Sequence, residues 1–185
     1  MKIGVLALQG GVSEHVSKLR NLRVTVTKVR EANHLKDLDG LVIPGGESTA
    51  LERLTVDMFD ELKYFAKTKP VWGTCAGLIF LAKSPTQKTL GMLDVQIDRN
   101  AYGGQLDSFI APIELDNKKN FEGVFIRAPK ITSTGVNVET IATYDEEPMA
   151  VRQSNLLASC FHPELSEDDY FHRLFVDMVK ASRSS

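Results

Sequence analysis

The first half of the chain switches repeatedly between two hydrophobic rhythms. Ile3–Leu8 is a nearly continuous apolar run, the pattern of a strand covered on both faces, and Gly10-Gly11 ends it. Val12, Val16 and Leu19 then recur at helical spacing, with Glu14, Lys18 and Arg20 elsewhere on the turn. Val24–Val29 alternates with Thr and Lys as a second strand, and Leu41–Ile43 is a third, stopped by Pro44-Gly45-Gly46. Thr49 with Glu52 reads as a capping box that starts a helix. Another helical pattern covers about 59–66, Pro70 precedes a short strand Val71-Trp72-Gly73, and Leu78–Ala82 opens a further helix. Strand–helix–strand repetition implies parallel pairing with right-handed crossovers. The expected fold is α/β, a doubly wound and mostly parallel sheet flanked by helices, in which sites gather at the carboxyl ends of strands.

The second half changes character. Leu93–Asp98, Phe109–Leu115, Gly123–Ile126, Glu139–Tyr144, Met149–Gln153 and Leu156–Phe161 are strand candidates with little helix between them, which predicts an antiparallel extension of the same core. A last helix is capped by Ser166 and Asp169 and carries the stripe Tyr170, Phe171, Leu174, Phe175, Met178 and Val179, and 181–185 should fray. No repeat or linker divides the chain, so residues 1–185 are read as one domain.

Composition narrows the function classes. The 185 residues are 43% hydrophobic and 25% charged, as in ordinary globular chains. A net charge of −2 gives no reason to expect a nucleic-acid or membrane-surface partner. No apolar run nears the roughly 20 residues of a membrane span. Two cysteines, Cys75 and Cys160, make no disulfide framework and suggest a reducing, cytoplasmic setting.

Three segments can carry chemistry. Val71-Trp-Gly-Thr-Cys-Ala-Gly-Leu78 is a strand, a tight turn and a helix with Cys75 on the turn, the thiol form of a nucleophile elbow. Small neighbours permit the bend, and the helix start favours thiolate; a buried structural cysteine beside a packing glycine is the plain alternative. Phe161-His-Pro-Glu164 offers His162 as a base and Glu164 as the group that orients it. Pro44-Gly-Gly-Glu-Ser-Thr49 follows a strand and frees backbone N–H groups for an anion. It lacks the Gly-Lys-Ser/Thr ending of a phosphate loop, so an oxyanion hole from Gly46 and Ala76 N–H is the better reading. His15 reads as a satisfied helix residue, and His34 and His172 as ordinary surface or helix positions. Cys160 shares a strand face with His162 and is a rival nucleophile on paper, but it has no elbow and reads as a small buried hydrophobe. No His/Cys spacing suggests a metal, and no cofactor is called for.

These three segments, with Ile3-Gly-Val-Leu-Ala-Leu-Gln-Gly10, Glu14-His15, Arg99-Asn-Ala-Tyr-Gly103 and Phe125-Ile-Arg-Ala-Pro129, resemble the class I (triad) glutamine amidotransferases. The nearest likeness among them is to the glutaminase subunits of pyridoxal 5′-phosphate synthases. The resemblance runs from residue 3 to 165. It implies a flavodoxin-like fold and a Cys75-His162-Glu164 triad that hydrolyses L-glutamine. It also implies glutamine contacts from Gly46, Glu47, Ser48, Arg99, Ile126 and Arg127. An arginine suits the substrate's α-carboxylate. Ammonia would pass to a barrel-shaped synthase subunit, with Gln9, Gly10, Gly11 and Val12 at the interface. Two positions depart from the family's pattern: Gly104 replaces a basic residue and Cys160 often a serine. An amidotransferase subunit of another pathway, or a silent redox or binding module on the same fold, are the rival readings.

Overall fold

The computed structural model describes residues 1–99 and 108–184. Strands β1 (Lys2–Leu6), β2 (Thr25–Val29), β3 (Gly40–Ile43) and β4 (Val71–Thr74) alternate with helices α1 (Val12–Asn21), α2 (Ser48–Leu54) and α3 (Phe59–Thr68). Helix α4 (Ala76–Leu81) follows β4 directly. Then come strands β5 (Val95–Asp98), β6 (Ser108–Leu115), β7 (Asn120–Ile126), β8 (Lys130–Thr134), β9 (Glu139–Tyr144), β10 (Glu147–Gln153) and β11 (Leu156–Ser159), and helix α5 (Tyr170–Arg183).

Nine strands form one sheet in the order β2-β1-β3-β4-β11-β10-β9-β6-β7. The first five pair in parallel and the rest antiparallel. β3, β4 and β11 are buried along their full length, as a parallel core under helices requires. β6 alternates exposed and buried positions, since the extension is wet on one face. The order reverses between β1 and β3, whose carboxyl ends open toward one another; this is where a doubly wound sheet leaves a crevice. Gly10 and Gly45 close on each other there, because a Cβ on Gly10 would lie 1.5 Å from the Gly45 carbonyl oxygen.

The fold agrees with the expected class and differs in detail. The β8 strand is an addition to the expected elements, and it pairs with β5 in a separate two-stranded sheet rather than extending the core. Its sequence, Lys-Ile-Thr-Ser-Thr, holds one apolar residue and gives no period-2 signal. Glu47, not Thr49, caps α2: its carboxylate accepts from the N–H groups of Thr49 and Ala50 at 3.1 Å each. At α5 the backbone N–H of Tyr170 finds Asp168 Oδ1 at 2.8 Å, while the N-cap Asp169 turns its side chain to Lys18 Nζ instead of the helix N–H groups. That helix continues to Arg183 instead of fraying at 181, and Lys180 supports its last turn through Asp177 at 2.9 Å. The Asn100–Gly104 run lies outside the described residues.

Gly77 carries a sharp test of this packing. A Cβ there would sit 2.1 Å from the Ile43 carbonyl oxygen, a backbone atom that no rotamer change can move. Gly77→Ala is therefore expected to cost about 1–3 kcal/mol, read as a lowered urea midpoint at constant slope.

Candidate active site

Cys75 stands between β4 and α4 with φ 49° and ψ −105°, a backbone conformation that side-chain-bearing residues seldom adopt. The surroundings enforce it. Its N–H donates to Ser159 O at 2.8 Å, tying the bend to the end of β11. Gly73 and Gly77 flank it because a Cβ on Gly73 would meet the Gly77 carbonyl oxygen at 2.4 Å. The sulfur stays near the surface of the crevice, 3.8 Å from the Ile126 carbonyl.

His162 lies just beyond β11, and its N–H is held by Val124 O of β7 at 2.8 Å. A short 3₁₀ turn, Pro163–Leu165, brings Glu164 back so that Oε1 lies 2.8 Å from His162 Nδ1. A Cβ on Gly45 would touch both His162 Cε1, at 2.5 Å, and Cys75 Cβ, at 3.1 Å. Thiol and imidazole thus face each other across one bare glycine, although 87 positions separate them in sequence. Burial works against a charged His162 ring, but its hydrogen bonds to the Cys75 thiol and to Glu164 prevail and raise its pKa to about 10. Burial likewise disfavours the Glu164 carboxylate. The opposing influence of His15, by charge and hydrogen bond, and then of His162 holds it well below the usual range.

The polar chain extends further than the sequence suggests. His15 and His172 are completely buried. His15 Nε2 lies 3.3 Å from Glu164 Oε2, and His15 Nδ1 lies 3.0 Å from His172 Nε2. His172 is thus a helix residue but not a surface one; burial first, then the positive influence of His15 and Lys18, lowers its pKa to about 2. The available signal is position: His15 falls on the Val12–Val16–Leu19 stripe and His172 beside Phe171 and Phe175, both on buried helix faces. His34, by contrast, is a surface residue paired with Glu31 at 3.2 Å.

The glycine loop after β3 borders the sulfur. Gly45 N–H donates to Thr74 Oγ1 at 3.0 Å, and Glu47 N–H to Gln9 Oε1 at 2.8 Å. Gly46 has φ +142°, and a Cβ there would strike the Gln9 side chain. A cavity of about 450 Å³ opens in front, walled by Gly46, Glu47 and Ser48 on one side and Cys75 and Ala76 on another. Arg99 and Arg127 bring positive charge to its rim, and Arg99 donates to Ser48 Oγ. Ile79 and Thr86 also line it, two positions that carry no sequence signal of a site. A larger groove, about 690 Å³, lies between the 3₁₀ turn Ala32–Leu35 and α3, elements that carry none of these side chains.

Gln9–Val12 forms a strip against the back of the site: Gly10 is exposed, the others half-buried, and a Cβ on Gly11 would meet Glu164 Oε1 at 2.7 Å. Cys160 lies past the end of β11, wholly buried, and burial pushes its thiol up to about 12. That holds it as an unreactive thiol. Among the described residues, no helix is long and apolar enough to cross a membrane.

A parallel sheet with a cysteine on the bend after one strand, and a histidine–carboxylate pair after its neighbour, defines a class I glutamine amidotransferase. Comparison with known proteins agrees. The model of the SNO glutamine amidotransferase family matches residues 5–181, and the chain belongs to that family. It is 47% identical to the pyridoxal 5′-phosphate synthase subunit PdxT of Oenococcus oeni, with 99% of each chain covered. Against the PdxT of Thermotoga maritima it is 46% identical over 97% of this chain and all of that one. A crystal structure of a glutamine amidotransferase superposes with TM-score 0.91 at 41% identity, covering 96% of this chain and 98% of that chain. A glutamine amidotransferase from Thermotoga maritima shares the fold, with TM-score 0.63 at 14% identity over 100% of this chain and 86% of that one.

The His162 environment sets a pH signature. The folded state favours the imidazolium, so its contribution to stability is complete below the unfolded value of 6.5 and fades as pH rises through about 10. The urea-unfolding gap between wild type and His162→Gln is expected to narrow from about pH 6 to about pH 10.5.

Proposed function

We propose that this chain is the glutaminase subunit of a pyridoxal 5′-phosphate synthase, converting L-glutamine and water to glutamate and ammonia. One observation carries the reading: Cys75 and the His162–Glu164 pair converge over Gly45 at the mouth of a cavity with cationic walls. Cys75 Sγ attacks the side-chain amide carbon of glutamine while His162 holds the proton as imidazolium. The oxyanion forms beside the backbone N–H groups of Gly46 and Ala76, each such donor being worth about 3–4 kcal/mol of barrier. His162 returns its proton to the departing nitrogen, which leaves as ammonia, and a glutamyl thioester remains. Water, activated by the same imidazole, then releases glutamate. Glu164 at Nδ1 orients the ring and supports the imidazolium. Glu47, Ser48 and Arg127 border the substrate, Ile126 joins them through its carbonyl beside the sulfur, and Arg99 or Arg127 grips the substrate's α-carboxylate.

Full-length likeness to PdxT chains supports this pathway over other amidotransferase branches. Intact His162 and Glu164 disfavour a silent module. The chain works as one domain, residues 1–185, in the cytoplasm, where its two unpaired cysteines are at home. Ammonia is received by a barrel synthase subunit docked at Gln9–Val12. Gln9 spans from that strip to Gly45 and Glu47, so docking has a direct route to the oxyanion loop.

Mixing the chain with a candidate synthase and measuring glutamate is the direct test. Cys75→Ala is expected to lose turnover by about a thousandfold or more, and retained turnover removes the triad reading. Glutaminase rate is expected to rise on adding the synthase; equal rates with and without it rule out ordering of the loop by docking.

A further inference from the structure

Glu164 has two oxygens, and the triad accounts for one. Oε1 meets His162. Oε2 is buried and makes no well-aligned hydrogen bond, and the ring nitrogen beside it is His15 Nε2 at 3.3 Å. A buried carboxylate with nothing at its second oxygen would have reason to protonate or rotate, and His15 is the group placed to prevent this. His15 in turn meets His172 Nε2 at 3.0 Å, and both rings pack edge-on against Trp72. Neither histidine is exposed, so neither can serve as a surface group.

We propose that His15 and His172 are positioning residues for this triad, His15 holding the second oxygen of Glu164 and His172 holding the His15 ring. The inference rests on the glutaminase reading above. Proton placement follows from the partners. An ionised Glu164 only accepts, so His15 Nε2 carries a hydrogen toward Oε2. Thr74 Oγ1, at 3.5 Å, is the competing neighbour and already accepts from Gly45 N–H. The groups facing the pair are Glu164 from the 3₁₀ turn, Thr74 and Trp72 from β4, and Lys18 from α1, whose positive charge disfavours a charged His172. His172 is neutral, and its Nε2, 3.0 Å from His15 Nδ1, holds the His15 ring in place.

The test is glutaminase kinetics with the synthase present, on variants that keep or remove the donor. His15→Phe preserves shape without a donor; His15→Gln restores one near the Nε2 position. His15→Phe is expected to lower kcat about tenfold or more, with KM for glutamine within about twofold. The acidic limb of its kcat/KM profile should shift upward, and His15→Gln should recover most of the loss. In a Glu164→Gln background, His15→Phe is expected to add nothing. Full kcat in a folded His15→Phe protein, or an equal further loss in the Glu164→Gln background, overturns the proposal. Should the variants not fold, ¹⁵N-histidine NMR of the wild type decides: a His15 protonated at Nδ1 and bare at Nε2 overturns it. Inactivity of Cys75→Ala alongside a fully active His15→Phe would remove this inference alone; an active Cys75→Ala would remove the triad reading beneath it.

Discussion

An ionised carboxylate at 4% exposure can persist only where its neighbours replace the water it has lost. Glu164 meets this condition with an imidazole at each oxygen. The arrangement draws on four separate parts of the chain: α1 for His15, β4 for the cysteine, the segment after β11 for His162 and Glu164, and α5 for His172. None of these can shift without exposing an unpaired charge or an unpaired ring nitrogen. The geometry of the site and the docking of the two flanking helices are therefore one problem with one solution.

The second constraint is steric. Gly10, Gly45, Gly73 and Gly77 stand where a Cβ would fall within 2.5 Å of another group. In three of the four cases the obstacle is a backbone carbonyl. At Gly45 it is the His162 ring itself. Bare backbone at these points lets the ends of β1, β3 and β4 approach closely enough for short side chains to touch. The strained Cys75 backbone is held by the same contacts, so strain and close approach are two aspects of one compact corner.

Much of this was legible in the chain. Continuous apolar runs announced β1, β3 and β4, and glycines at fixed offsets marked the elbow and the loop after β3. The His-Pro-Glu spacing suggested a pair, and the 3₁₀ turn that closes it at 2.8 Å is a local event. What escaped was non-local. No pattern within α1 or α5 says that His15 and His172 meet, because 157 positions separate them and each alone looks like a helix residue. β8 escaped because its side chains are mostly polar and its partner is β5, not the core. Glu47 as a cap escaped because a capping box was already visible two residues later, whereas the Glu47 carboxylate starts the helix earlier by accepting from Thr49 and Ala50 N–H.

The antiparallel half looks at first like an appendage to a self-sufficient flavodoxin-like core. The hydrogen bond from His162 N–H to Val124 O argues otherwise, as does the sulfur's contact with Ile126 O. Both acceptors belong to β7, the strand farthest from β2 in the sheet order. The outermost strand thus curls back to brace Cys75 and His162. No minimal fragment of the parallel half can be excised with its chemistry intact, and gradual loss of this outer strand would silence the enzyme before the central sheet melts.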